Sequence, residues 1–484
     1  MKSNLRRIFC LLLAMALMFS VAACGKVEDS GSTLDFDDEG WEIDVDVNDG
    51  GDATDEGSKT QTGTTSTGNG GSGSNKQPAV KDADSLTLAE LTAQIPNKLR
   101  GTTVTVFSWN PVKDVTGAEK VVDTFEKKTG IKVKWLQGSY DKYDESIVSK
   151  INSGDAPDII RYQEPNPARM ALTQDLKTAT GFDFKGDIWD QVLAKSFTIK
   201  GKTFGINLKN TFNNQPTVVM YLKSTIENND MEDPYQLWKT GKWTFDKFID
   251  MCNEFKEKTG SAGWMTSRNI DIMWFEGLSF INFDGNKYTN NSTGKEIITM
   301  VQRVCNWRVD GIMAGGASES TSFAAGDYLF YTNNILTLRR NDSQHFVEQK
   351  KNNDIFCVPF PAQEGKTYYQ AMQESEAFGI PKGAKNPEAV YYFLRYYCNR
   401  DNYDEKMFFA NSQILEVYDW CLAQPNKFYI FDRQITASYG ILLEDIPYAI
   451  RTGLQPAQVQ THLESVSPKF ENDVRKANET ISKF

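Results

Sequence analysis

Hydrophobic positions alternate with period two over Thr103-Val-Thr-Val-Phe-Ser-Trp109, which predicts a strand. The period then lengthens: Ala118, Val121, Val122 and Phe125 share one helical face, and the face stops at Thr129-Gly130. Ile131 to Leu136 predicts a second strand, Tyr140 to Ile151 a second helix ending in Ser153-Gly154-Asp155-Ala156-Pro157, and Asp158-Ile-Ile-Arg-Tyr162 a third strand. Strands and helices alternating at this spacing imply a parallel sheet with right-handed crossovers, so the fold class is α/β. Ligands of such sheets sit at the carboxyl ends of the strands. Here those ends are Trp109-Asn110, Gly138-Ser139-Tyr140 and Tyr162-Gln163-Glu164. Further along, Thr244 is placed to cap a helix whose apolar face is Phe248, Ile249, Cys252 and Phe255, ending at Thr259-Gly260. Asn386 is placed to cap another, with Pro387 at the first helical position and Val390, Phe393, Leu394 and Tyr397 facing inward. Trp135 and Trp307 fall inside apolar strand and helix patterns and are assigned to the core.

The amino-terminal region follows different rules. An apolar run from Ile8 to Ala23 follows Lys2, Arg6 and Arg7 and closes on Val21-Ala22-Ala23-Cys24. It is short for a membrane span, and basic start, apolar middle and small residues before a cysteine are the marks of a bacterial lipoprotein export signal. Residues 1–23 are expected to be removed and Cys24 to carry lipid; the competing reading is an ordinary secretory signal. Residues 24–85 read as a tether. Residues 25–60 hold thirteen acidic residues against Lys26 and Lys59, so the net charge of −11 on the 484-residue chain resides there. Between Gly57 and Gln77 there is no hydrophobic residue, and such a segment cannot bury enough surface to offset its chain entropy. As a flexible coil it reaches about 40 Å. Asp44-Val-Asp46-Val-Asn48-Asp49-Gly50 has carboxylates at alternate positions, but its glycine and twelfth position are wrong for a calcium loop. Residues 86–100 are expected to form a short lead-in helix.

Residues 101–484 exceed one ordinary core, so two lobes are expected. Their remaining cysteines, Cys252, Cys305, Cys357, Cys398 and Cys421, are odd in number and widely spaced, a poor framework for disulfides or zinc. No GxSxG elbow, HExxH or nucleotide loop is present, and the histidines are His345 and His462 alone, which weighs against serine and zinc hydrolases. No metal or cofactor is expected. A near-neutral body with an acidic tail is also a poor nucleic-acid ligand. Arg339-Arg340, the one adjacent basic pair in the expected cleft region, is assigned to capping or solvating a helix end.

Several stretches carry a family resemblance in their order and spacing: the Val104–Trp109 strand, Gly154-Asp155-Ala156-Pro157-Asp158-Ile159-Ile160, Gly201-Lys-Thr-Phe-Gly-Ile206, Asp233-Pro-Tyr-Gln-Leu-Trp238 with Gly241-Lys-Trp-Thr-Phe-Asp246, Phe323-Ala-Ala-Gly-Asp327, Val358-Pro-Phe-Pro361 and Gly379-Ile-Pro-Lys-Gly-Ala-Lys-Asn-Pro387. Together these resemble the family 1 extracellular solute-binding proteins of ABC importers, mostly sugar and oligosaccharide receptors. The resemblance implies a two-lobed periplasmic-binding-protein-like fold with a hinge and an interlobe cleft. It places residues 101–212 and 327–374 in the first lobe, and 213–326 and 375–484 in the second. It implies capture of a carbohydrate, an oligosaccharide by preference, by a monomer on the outer face of the cytoplasmic membrane, with delivery to ABC permease subunits.

A sugar needs flat aromatic faces plus carboxylates and amides for its hydroxyls. The candidates for that role are Trp109, Tyr140, Tyr162 and Glu164 from the first lobe, Tyr331 and Asn333 beyond the Phe323–Asp327 stretch, and Trp264, Trp274, Glu374 and Tyr439 from the second side. Glu374 is preferred to its neighbour Glu376. Two rivals remain: an extracellular carbohydrate-active enzyme with a carboxylate pair, and a sensor subunit that reports a bound ligand to a membrane kinase.

Overall fold

The computed structural model describes residues 83–112, 115–266, 270–314, 319–372, 376–429 and 445–484. The signal, Cys24 and the tether as far as residue 82 therefore lie outside the described residues, whereas Ala83–Ser85, expected to belong to the tether, form a helical turn with Asp84 buried. Nine strands build two sheets: β1 (Thr103–Ser108), β2 (Lys132–Gln137), β3 (Ile159–Tyr162), β4 (Thr217–Leu222), β5 (Trp264–Thr266), β6 (Met313–Ala314), β7 (Phe330–Asn334), β8 (Ile355–Pro359) and β9 (Ala377–Gly379). The first sheet has the order β9-β3-β1-β2 and the second β6-β5-β7-β4-β8.

The three strands read from the alternating pattern form the parallel part of the first sheet. Val106 lies opposite Trp135 on β2 and Ile159 on β3. The helices between them are α1 (Ala118–Thr129) and α2 (Tyr143–Asn152). α1 buries Ala118, Val121 and Phe125 and stops where Gly130 takes φ 74°, a left-handed conformation that glycine adopts without steric cost. In the second sheet β4 is buried along its whole length. Its Thr-Val-Val-Met-Tyr-Leu sequence suits a strand covered on both faces. α3 (Phe245–Thr259) packs below that sheet, with Thr244 Oγ1 accepting the Lys247 amide at 3.2 Å.

The lobe boundaries expected from the sequence are corrected by strand pairing. β7 pairs with β4 and β5, and β8 pairs with β4, so residues 327–374 supply strands to the second sheet. β9 instead pairs antiparallel with β3 of the first sheet, Phe378 opposite Arg161. The helix after it, α4 (Pro387–Tyr397), packs against α1 and β1. The chain thus crosses to the second sheet between Leu208 and Thr217, returns between Met372 and Ala377, and leaves again after Tyr397. Asn386 also differs from expectation: it makes no side-chain cap, and its Nδ2 donates to the Thr103 carbonyl at 2.9 Å while Asp158 Oδ1 accepts its amide.

The expected lead-in helix over 86–100 is broken by Pro96 into an α-helix at Leu88–Ala93 and a 3-10 turn at Asn97–Leu99. What fixes this segment is Asp84. Its carboxylate, nearly buried, accepts from Trp189 Nε1 at 2.7 Å, the Gly186 amide at 2.8 Å and the Tyr391 hydroxyl at 2.7 Å. Arg395 of α4 reaches the carbonyls of Ala83 and Leu86. All five cysteines of the body are buried and free. Among the described residues no helix is long and apolar enough to cross a membrane.

Candidate functional site

At the carboxyl ends of β1 and β3, where the first sheet meets the crossing segments, lies a cavity of about 160 Å³. Its first wall carries Trp109, Trp135, Arg161, Gln163 and Glu376; its second carries Asn213, Gln215, Leu336 and Arg339. The chain places them there for simple reasons. Trp109 and Gln163 follow strands β1 and β3, Asn213 and Gln215 belong to the first crossing, and Glu376 immediately precedes β9.

Trp109 is held by three contacts. Tyr143 and Tyr140 meet it edge-on at 4.8 and 5.8 Å, and the Arg161 guanidinium lies 4.8 Å from its ring. That cation over an aromatic face leaves the ring oriented and partly exposed. Trp135 is fixed by its Nε1, which donates to the Asn110 carbonyl at 2.9 Å. Tyr143 is buried beside Trp109 and stacks on Phe107 at 4.9 Å. It donates to the Phe107 carbonyl at 2.7 Å and accepts the Arg161 amide, and burial pushes its phenol well above the usual range.

The charges of the site come from neighbouring strands. Arg161 Nη2 donates to Glu376 Oε2 at 2.9 Å, with both side chains mostly buried. On the opposite wall Arg339 Nη2 donates to the Phe212 carbonyl at 2.6 Å and to Asn213 Oδ1 at 3.4 Å. Burial lowers the proton affinity of Arg339; Arg161 lowers it further and Glu376 acts the other way. The second wall is steadied by Asn334 Nδ2 donating to Gln215 Oε1.

The structure brings some sequence candidates together and separates others. Trp109 lines the cavity. Tyr140, 59 % exposed, lies beside it with its hydroxyl on Gln163 Oε1 at 2.8 Å, and Glu164 follows Gln163 on the same loop, half-buried. Tyr162 has no exposed surface; its hydroxyl pairs with Thr173 Oγ1 at 2.8 Å, because it points to the opposite face of β3 from Arg161. Trp264 is equally buried, its Nε1 on Thr332 Oγ1, and Trp274 lies in the core of the second lobe. Tyr331 is buried on β7 and accepts from Asn333 Nδ2, and neither lines the cavity. A side chain without exposed surface offers a sugar no platform, so burial removes Tyr162, Trp264, Trp274 and Tyr331. Glu374 and Tyr439 lie outside the described residues.

Sequence reasoning missed Arg161, Glu376, Arg339 and Trp135. Two signals were present. Arg161 is a cation inside an otherwise apolar central strand, a position that demands a partner. Asn213-Asn214-Gln215 are three consecutive amides between Phe212 and the apolar β4, and all three are buried. Trp135 lies inside an apolar strand pattern, which reads as core, yet its strand is the edge of the sheet and its side chain lines the cavity.

A family model described as bacterial extracellular solute-binding protein matches residues 120–409. No curated protein sequence matches the chain. Solved structures match in fold. The extracellular solute-binding protein of Staphylococcus aureus, determined with maltose, has 14% identity and a TM-score of 0.58, covering 78% of this chain and 97% of that one. The sugar-binding protein MalE of Xanthomonas citri has 12% identity and a TM-score of 0.59, covering 79% and 98%. The GacH receptor of Streptomyces glaucescens, studied with acarbose, has 16% identity and a TM-score of 0.52, covering 77% and 98%.

Proposed function

Because the chain belongs to the bacterial extracellular solute-binding protein family, we propose that it captures a carbohydrate, an oligosaccharide by preference, in the cavity between its two sheets and hands it to an ABC permease. The observation that carries this reading is the composition of that cavity. Trp109 and Trp135 offer ring faces, while Gln163, Glu376, Asn213 and Gln215 offer donors and acceptors, from segments belonging to both sheets. The similar proteins of known structure include receptors determined with maltose and with acarbose. At about 160 Å³ the cavity is smaller than the roughly 300–1,000 Å³ of sites that enclose a ligand. Entry of an oligosaccharide therefore requires the walls to part, and recapture is a population shift driven by contacts to both. The export signal supports attachment through lipid on Cys24, with the acidic tether holding a monomeric body at the outer face of the cytoplasmic membrane.

Thermal unfolding against a panel of mono- and oligosaccharides tests this reading. A ligand at a hundred times its Kd stabilises by about 2.7 kcal/mol, which raises the midpoint by about 3 °C in a body of this size. A rise with one glycan class, and recovery of that glycan intact, is the expected result. No rise with any sugar contradicts the carbohydrate reading, and recovery of cleaved product contradicts pure binding.

A further inference from the structure

The charges of the cavity's described lining residues are unequal. Among its described lining residues there are two guanidiniums, Arg161 and Arg339, and one carboxylate, Glu376. Glu376 is engaged by Arg161 at 2.9 Å. Arg339 has neutral partners, a backbone carbonyl and an amide oxygen, and no described carboxylate forms an ion pair with it. Its Nε is buried without a hydrogen-bond partner among the described residues. A guanidinium that is half-buried, repelled by a second one and balanced only at longer range by Glu376 is a poor match for a neutral hydroxyl. It is a good match for a carboxylate, which accepts a forked pair of charge-assisted hydrogen bonds.

Resting on the carbohydrate reading above, we propose that the cavity selects acidic sugars, uronate-bearing oligosaccharides whose carboxylate is received by Arg339 while sugar rings lie against Trp109. The second wall would then contribute charge recognition and the first ring recognition. A ligand carboxylate near Arg339 also offsets the repulsion between the two guanidiniums, so it favours the state in which the walls are close.

The test compares each glycan with its own neutral form. Trigalacturonate, trimannuronate and a glucuronate-substituted xylotriose are titrated calorimetrically into the purified protein as free acids and as methyl esters, beside maltotriose. At least one free acid should bind roughly tenfold or more tightly than its ester, and that preference should shrink as salt is raised. In R339Q the acid should fall toward the ester, whereas R339K should keep part of the preference. Should R339Q fail to fold, the acid-to-ester ratio of the unaltered protein and its salt dependence still decide. Equal binding of acids and esters, or binding of maltotriose alone, overturns the acidic-sugar inference and leaves the carbohydrate reading standing. Binding of no glycan overturns both, and an acid preference untouched in folded R339Q removes Arg339 from the assignment.

Discussion

Replacing Lys427 by Met would leave the Asp190 carboxylate inside the fold with its cation removed. Asp190 stands at the start of the Gln191–Ser196 helix, beside the first sheet. Lys427 lies on the strand Lys427–Tyr429, which pairs with Gln370–Met372 next to the second sheet. Both side chains are 2 % exposed and the Nζ–Oδ2 distance is 2.8 Å. Asp190 keeps other donors when Lys427 is lost. Its Oδ1 accepts the amides of Val192 and Leu193 at 3.1 Å each, and its Oδ2 accepts the Tyr429 hydroxyl at 2.9 Å. These hold the cost near the lower end of the range for breaking a buried pair, about 3 kcal/mol. Unfolding about 400 residues at roughly 2.1 cal/mol/K each gives about 0.8 kcal/mol per degree, so the midpoint should fall by about 4 °C. Differential scanning calorimetry of K427M reads this directly. The double variant D190N/K427M keeps the helix-capping oxygen and removes both charges, so it should recover most of the loss. A K427M midpoint within about 1 °C of the unaltered protein, or a double variant as unstable as K427M, would mean that the buried Lys427–Asp190 pair does not carry this stability.

Three further outcomes follow from named contacts. Trp109→Ala removes a ring held by Arg161, Tyr140 and Tyr143, and ligand affinity should drop roughly tenfold or more by calorimetry, with little change in midpoint for a half-buried side chain. Gly263→Ala would drive a Cβ to 2.3 Å from Cys252 Cα, a backbone atom of α3 that cannot step aside, so urea unfolding should register a loss of about 1–3 kcal/mol. Burial raises the thiols of Cys252, Cys357, Cys398 and Cys421 and pushes Cys305 up to about 11. A thiol reagent at pH 8 should therefore find these five unreactive until denaturant is added.

What could be read from the sequence divides along physical lines. The alternation of Thr103–Trp109 and the helical face of Ala118 to Phe125 are local patterns, and both elements form where expected. Thr244 caps its helix because a cap depends on three neighbouring residues. The assignment of residues 327–374 to the first lobe failed because strand pairing between distant segments leaves no local mark. β7 and β9 are both short, and only their pairing partners assign them to different sheets. Aromatic residues failed for a related reason. Trp109 and Tyr162 both sit at strand ends, but the side-chain period of two turns Tyr162 into the core and leaves its neighbour Arg161 facing the cavity. Arg339 faces that cavity across 178 positions of sequence from Arg161, which no spacing rule anticipates.

Hydrogen exchange, followed by mass spectrometry with and without a saturating oligosaccharide, tests capture between the two walls most directly. Ligand held between the walls should slow exchange at both sets of segments, Trp109 to Val112 and Gln163 to Asn166 on one side, and Asn213 to Thr217 and Leu336 to Arg340 on the other. Protection confined to one wall, or confined to a surface away from the cavity, would contradict it.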